Sequence, residues 1–209
     1  MKKRALILVD LQNDFFPGGA LAVKDGDQVL PAINALLNMP FDLIIATKDY
    51  HPPLHVSFAS THGKKVGDII ANAETTQILW PNHCIQGSKG SEFAPGWDAS
   101  NVHQVVHKGT NIGVDSYSTF FDNGHKQETG LNQLLKEQGI DTIFIAGLAT
   151  DYCVKYSVLD ARDLGYKVYV VKEGCRPVNL NPDDGENALQ EMRENGASII
   201  SIKDLQERF

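Results

Sequence analysis

Short apolar runs rich in valine and isoleucine recur along the chain and alternate with longer amphipathic stretches. Each run has the length and composition of a β-strand. The runs are residues 5–9, 43–47, 103–107, 142–146, 167–171 and 198–202. The first, second, fourth and fifth are apolar almost throughout, which is typical of strands covered on both faces of a parallel sheet. We therefore predict a parallel sheet with helices on both sides.

Four segments between these runs carry helix signals. Apolar residues recur at helical spacing in 29–37 and 131–135, and the segments 152–164 and 186–194 are followed by glycine or Asn-Gly, which commonly end helices. Strands that alternate with helices predict an α/β fold with right-handed crossovers.

The region 51–104 departs from this alternation. It is rich in Pro, Gly, Ser and His, with one weak helical patch at 68–79, and loops of such length inside compact domains are usually functional. A chain of 209 residues with 42% hydrophobic residues has the size of one domain. We predict a single domain over 1–209 with a functional loop excursion at about 51–104.

Composition and charge exclude several functional classes. The formal net charge of −7 gives no positive field that would attract nucleic acid or anionic lipid. The apolar run at 5–9 is far shorter than a signal-peptide core or a membrane span of about 20 residues. Three cysteines without a C-x-x-C pair fit a reducing compartment. We expect a cytoplasmic protein that acts on a small molecule; a homo-oligomer is compatible with the sequence.

Reactive side chains follow the first four runs, where the carboxyl ends of parallel strands form the usual ligand site of an open α/β sheet. In chain order they are Asp10, then Asp49 with His51, then Lys108, then Cys153. Taken singly, each has the simpler interpretation of a polar residue that ends a strand. Together they predict one site at this edge.

Cys153 is the candidate nucleophile, because a helix start with its unpaired N–H groups stabilises a thiolate. Lys108 could stabilise the thiolate by its charge, and Asp10 could accept the thiol proton and return it to a leaving amine. Cys84, in a loop, and Cys175, placed beyond a strand, lack this setting. We expect the neighbours Thr150 and Asp151 to cap the helix.

The tripeptide Asp49-Tyr50-His51 could supply two ligands to one metal ion. Alternate residues of an extended segment point to one side, so the side chains of Asp49 and His51 would face the same way. His83 could supply a third ligand for a first-row divalent ion. Among the other histidines, His55 is the strongest competitor because it shares a loop with His51. The remaining competitors are His62, His103, His107 and His125.

Several familiar signatures are absent: the phosphate loop, the dinucleotide-binding G-x-G-x-x-G and the G-x-S-x-G elbow. Nucleotide binding and serine hydrolase chemistry thus lose their usual support. Thiol chemistry remains.

Motifs spread over the whole chain resemble those of bacterial nicotinamidases and pyrazinamidases, which are isochorismatase-like hydrolases. They are V-D-L-Q-N-D-F at 9–15, G-G-A-L at 18–21, A-T-K-D-Y-H-P at 46–52, W-P-N-H-C at 80–84, K-G at 108–109, D-S-Y-S-x-F-F-D-N at 115–123 and G-L-A-T-D-Y-C-V at 147–154. The resemblance implies a three-layer α/β/α sandwich around a six-stranded parallel sheet. It also implies hydrolysis of nicotinamide to nicotinate and ammonia, and of pyrazinamide as well.

The resemblance further implies roles for individual residues. The catalytic residues would be Asp10, Lys108 and Cys153; the metal ligands Asp49, His51 and His83; the oxyanion hole the amides of Ala149 and Cys153; and the pocket walls Phe15, Trp80 and Tyr117. A cis peptide is expected between Leu148 and Ala149. Ser57 stands where some relatives place a further histidine, so it would act through a bound water. The ion would be zinc, with iron or manganese as alternatives.

Four other functions remain open. An amidase for ureido or carbamoyl substrates would keep the trio but need no metal, and an isochorismatase would lack the nucleophile. A non-catalytic module on the same fold would be expected to have lost a member of the trio. A nicotinamide-dependent oxidoreductase lacks its dinucleotide fingerprint.

Overall fold

The computed structural model describes residues 3–72 and 75–207, and its central feature is a six-stranded sheet in the order β5-β2-β1-β6-β7-β8. Every neighbouring pair in this sheet is parallel. The strands are β1 (Lys3–Val9), β2 (Leu43–Asp49), β3 (Ile69–Asn72), β4 (Thr75–Ile78), β5 (Gln104–Lys108), β6 (Ile140–Leu148), β7 (Lys167–Arg176) and β8 (Ser198–Ile200). The predicted six-stranded parallel sheet is confirmed.

Helices cover both faces of the sheet. They are α1 (Leu30–Leu37), α2 (Leu131–Glu137), α3 (Lys155–Asp163), α4 (Asp184–Glu194) and α5 (Ile202–Gln206). Alternate residues of β1 point to opposite faces: Leu6 and Leu8 pack in the apolar cluster that includes α1 and α5, whereas Ala5 and Ile7 pack in the cluster of α2, α3 and α4. The predicted sandwich is therefore confirmed.

The structure corrects the prediction of a helical patch at 68–79. This segment contains the antiparallel pair β3 and β4. The sequence of this segment has five β-branched residues, Ile69, Ile70, Thr75, Thr76 and Ile78, and such residues favour extended backbone. The exposure of β3 also alternates from residue to residue, as expected of a strand with one solvated face.

Two boundaries at the end of the sheet also differ from the prediction. β7 continues to Arg176, so Cys175 lies within the strand and not beyond it. β8 ends at Ile200, and Ser201 starts α5 with a reciprocal capping box to Asp204. Among the residues described, none of the helices has the length and hydropathy that crossing a bilayer requires.

Candidate active site

The carboxyl ends of four adjacent strands, β5, β2, β1 and β6, meet at one edge of the sheet. Asp49 and Lys108 are the last residues of β2 and β5, Asp10 directly follows β1, and Cys153 lies in the turn after β6. All four side chains are buried. The topology thus brings together residues that are far apart in the sequence.

The Lys108 ammonium is the centre of this group. Its Nζ lies 2.9 Å from Asp10 Oδ2 and donates to Asp49 Oδ1 at 2.5 Å, to the Ser116 carbonyl at 3.0 Å and to Cys153 Sγ at 3.2 Å. Burial alone would lower the pKa of Lys108, but the charges of Asp10 and Asp49 outweigh it and raise that pKa well above its usual value. Lys108 is therefore a permanent cation beside the sulfur.

Asp10 is placed to accept a proton. Thr47 Oγ1 donates to its Oδ1 at 2.6 Å, while its Oδ2 faces Lys108 as an ion pair without an aligned hydrogen bond. Burial raises the pKa of Asp10, and Lys108 opposes this only in part. Burial likewise raises the pKa of the Cys153 thiol well above its usual value. Burial thus favours the neutral form of both groups, and both contact the Lys108 ammonium.

The turn that carries Cys153 begins after a cis peptide between Leu148 and Ala149, as the resemblance implied. Residues Thr150–Val154 form a π-helical turn that continues into α3. The expectation that Thr150 or Asp151 caps this turn is wrong, because no side chain makes the cap hydrogen bond. The capping prediction rested on local sequence, whereas the partners of Asp151 lie far along the chain.

Asp151 connects the turn that carries Cys153 to residues 178–179 through hydrogen bonds. Its two carboxylate oxygens accept hydrogen bonds from the backbone N–H groups of Val178 and Asn179, both at 2.8 Å. Hydrogen bonds to a buried charge contribute about 1.5–3 kcal/mol each. We expect Asp151→Asn to lower the free energy of unfolding in urea by about 2 kcal/mol. The exposed Asp163 on α3 is a matched control, and equal effects of the two substitutions would contradict this role.

Three potential metal-ligand atoms lie close together on the side of Asp49 that faces away from Lys108: Asp49 Oδ2 and the Nε2 atoms of His51 and His83. Asp49 Oδ2 lies 3.6 Å from His51 Nε2 and 3.7 Å from His83 Nε2. The Nδ1 atoms of the two rings face carbonyl oxygens, those of Gly109 and Pro81. A carbonyl only accepts, so Nδ1 carries the proton and the Nε2 lone pair is free. His51 Nε2 is moreover buried without a hydrogen-bond partner. These three residues therefore fit a divalent ion.

The competitor His55 has no free lone pair. Its Nδ1 accepts from the Ser57 backbone N–H at 3.3 Å and lies 2.8 Å from Ser57 Oγ, and its Nε2 lies 3.3 Å from the Val114 carbonyl. The group His51, His55 and Asp115 is also compact, but this occupied ring makes it the poorer ligand set. Ser57 is buried beside His55.

The other competing histidines contact different partners: the Val56 carbonyl for His62, the Ile44 amide for His103, the Tyr50 ring for His107 and Asp160 for His125.

A small cavity with mostly apolar walls opens onto both halves of this site. Its lining comprises Phe15, Leu21, Asp49, Trp80, His83, Asp115, Tyr117, Ala149, Tyr152, Cys153 and Val178. Trp80 Nε1 donates to Tyr117 Oη at 3.0 Å, which fixes these two rings relative to each other. A larger cleft of about 680 Å³ near α1, α4 and β7 contains none of the candidate catalytic or metal-binding side chains.

Sequence reasoning missed four lining side chains, and one of them, Asp115, opens the quoted motif at 115–123. Leu21 and Tyr152 belong to the quoted motifs, G-G-A-L and the stretch around Cys153, so their presence near the cavity had a signal. Val178 lies outside every motif, and only its tie to Asp151 places it there.

Comparison with known proteins gives the family. Residues 4–204 match the isochorismatase domain. The chain belongs to the isochorismatase family. Within this family it is 46% identical to the nicotinamidase of Escherichia coli over 210 residues, which covers 99% of both chains.

Solved structures of the isochorismatase family agree with this placement. A nicotinamidase/pyrazinamidase of Acinetobacter baumannii has a TM-score of 0.94 and 41% identity, with 98% of this chain and 99% of that chain covered. A pyrazinamidase of Pyrococcus horikoshii in complex with zinc has a TM-score of 0.77 and 33% identity, with 96% and 99% covered.

Proposed function

We propose that the protein hydrolyses nicotinamide to nicotinate and ammonia, and accepts pyrazinamide as a second substrate. The observation that carries the proposal is the position of Cys153 Sγ, which is 3.2 Å from Lys108 Nζ and lines an aromatic-walled cavity next to Asp49 and His83. Similarity to nicotinamidases along the whole chain supports the choice of substrate.

The chain's own residues account for each step. Asp10 Oδ2 takes the thiol proton, Lys108 stabilises the thiolate, and Cys153 Sγ attacks the carboxamide carbon. The backbone N–H groups of Ala149 and Cys153 hold the tetrahedral oxyanion. Asp10 then gives its proton to the departing ammonia as the C–N bond breaks. Water attacks the thioester carbon and gives one proton to Asp10. The C–S bond then breaks, Asp10 returns that proton to the sulfur, and the acid product loses its remaining proton to solvent as nicotinate.

Substrate placement depends on the cavity walls and the imidazoles. Phe15, Trp80 and Tyr117 would pack against the pyridine ring and exclude water from it. Asp49, His51 and His83 would hold the divalent ion, with Ser57 reaching it through a water. The bound ion would supply a coordination site for the ring nitrogen. Zinc suits two imidazoles and a carboxylate; iron or manganese would also suit them.

The runner-up function is an amidase for ureido or carbamoyl substrates. Such an enzyme would use the same trio and would have no need of the imidazole pair beside Asp49. The free Nε2 atoms of His51 and His83 favour nicotinamide as the substrate. An ion bound by these atoms could coordinate the pyridine nitrogen of nicotinamide, which a ureido or carbamoyl substrate lacks. Ammonia release from nicotinamide, pyrazinamide and a carbamoyl compound, measured side by side on purified protein, decides between the two.

Removing the divalent ion should abolish most of the activity. We expect dialysis against a strong chelator to lower the rate of ammonia release from nicotinamide, and addition of zinc, iron or manganese to restore it. The reason is that the ring loses its positioning contact while Cys153 is left intact. Full activity in protein shown to be metal-free by elemental analysis would contradict the metal site.

We also propose a cytoplasmic enzyme with one catalytic domain over 1–209. Its three cysteines are free and buried, which suits a reducing compartment. Proteolysis that yields one resistant fragment would support the single domain.

A further inference from the structure

Gln12 is a buried side chain that the proposed mechanism leaves unused. It is fully buried and lies two residues after Asp10, within the first motif of the sequence. Unlike Phe15 in the same motif, it does not line the cavity in which the substrate would bind. All of its amide interactions go to the backbone of other segments.

These interactions engage both polar backbone groups of Asp49, its N–H and its carbonyl. Gln12 Oε1 accepts from the Asp49 N–H at 2.8 Å, and Gln12 Nε2 donates to the Asp49 carbonyl at 2.7 Å and to the Ser91 carbonyl at 3.0 Å. A backbone N–H only donates and a carbonyl only accepts, so the amide has one orientation that satisfies all three bonds.

The position of Asp49 explains why it needs such a partner. On one side it pairs with Lys108 in β5. On the other side the β1–β2 ladder stops at the pair Leu8 and Ala46, so no strand is left to bond the Asp49 backbone. Gln12 supplies the missing donor and acceptor in place of a β1 backbone group.

We propose that Gln12 is a positioning residue that fixes the carboxylate of Asp49 between Lys108 and the two imidazoles. Asp49 Oδ1 accepts a hydrogen bond from Lys108, while Oδ2 faces His51 and His83. Rotation of the Asp49 backbone would move both oxygens away from these partners. The inference rests on the proposed metal site, because the function of Oδ2 is to bind the ion. Groups that orient a ligand typically change metal affinity by about 10–100-fold.

The test measures zinc affinity without any turnover. Purified metal-free protein competes for zinc with a chelator of known affinity, in the wild type and in Gln12→Glu and Gln12→Met. The glutamate keeps an acceptor and, as a carboxylate, has no proton to donate to the carbonyls of Asp49 and Ser91. Methionine keeps only the volume and can form none of the three bonds, so it is the decisive variant. We expect zinc binding to weaken by about 10–100-fold in both variants. The melting temperature of the metal-free protein should fall as well, because backbone groups of Asp49 and Ser91 lose their hydrogen-bond partners.

Asn13 provides the matched control. Its Nδ2 donates to the carbonyls of Lys89 at 2.8 Å and Glu92 at 3.3 Å, so it ties the same turn to the same segment without contacting Asp49. We expect Asn13→Ala to bind zinc as the wild type does. This control distinguishes loss of the Asp49 hydrogen bonds from loss of hydrogen bonds to the segment near Ser91.

Each outcome has a definite meaning. Wild-type affinity in both Gln12 variants would overturn the inference, and so would equal losses in the Asn13 variant. Failure of both Gln12 variants to fold would also overturn it, because Gln12 would then be required by the fold as a whole. A wild type that binds no zinc, iron or manganese would instead refute the metal site of the proposed function.

Discussion

A Cys153→Ala protein should release almost no ammonia from nicotinamide. The sulfur is the atom that forms the thioester, and it lies 3.2 Å from the Lys108 ammonium that stabilises its charge. Loss of the nucleophile in an enzyme that works through a covalent intermediate lowers kcat on the order of 10⁵- to 10⁶-fold. A coupled assay for ammonia, with long incubation and high enzyme concentration, measures the residual rate.

Cys175→Ala is the control for this experiment. Cys175 is also buried, and its sulfur lies 3.5 Å from the Val171 carbonyl within β7, away from the catalytic cluster. This variant should keep the wild-type rate. Near wild-type turnover by Cys153→Ala, or equal loss in both variants, would refute the assignment of the nucleophile.

Lys108→Met should lower both activity and stability. The substitution removes the cation that faces Cys153, so kcat should fall by about 10²- to 10³-fold. It also leaves Asp10 and Asp49 buried without their counter-charge, which costs about 3–5 kcal/mol of unfolding free energy. Without Lys108 the burial of these carboxylates raises their pKa values in the folded state, so the stability loss should grow as the pH rises through those values. Ammonia release and urea denaturation at several pH values measure the two effects.

The control for the stability effect is Lys155→Met. Lys155 pairs with Glu191 at 3.1 Å at a partly exposed position, and such surface pairs contribute about 0–1 kcal/mol. A Lys108→Met protein as stable as the Lys155 variant at neutral pH would show that the buried carboxylates do not depend on Lys108.

The sheet could be predicted because each strand carries its own signal. Strands such as β1 and β6 are apolar almost throughout, and this pattern depends only on local sequence. The strand-end rule then placed Asp10 and Lys108 at one edge without knowledge of any contact. Hydrophobic periodicity in the sequence does not predict the order of the strands or the direct contacts of Lys108.

Other features depend on partners that are distant along the chain. Asp151 looks like a helix cap from its neighbours, yet its hydrogen bonds go to Val178 and Asn179. Gln12 shows no chemistry in the sequence, since its importance comes from the Asp49 backbone. The β3–β4 pair was missed because four-residue strands inside an irregular region give little periodic signal. Long-range contacts, and not local propensity, fix all three.

One carboxylate has two sets of neighbours in this molecule: Asp49 bonds the Lys108 ammonium through one oxygen and faces the two imidazoles through the other. Removal of this side chain therefore affects the lysine and the imidazoles together. A designer who wished to convert this scaffold into an ion-free hydrolase could therefore rebuild the histidine side of the pocket only with Asp49 in place, because without it the lysine would keep Asp10 as its single carboxylate partner within the described part of the chain.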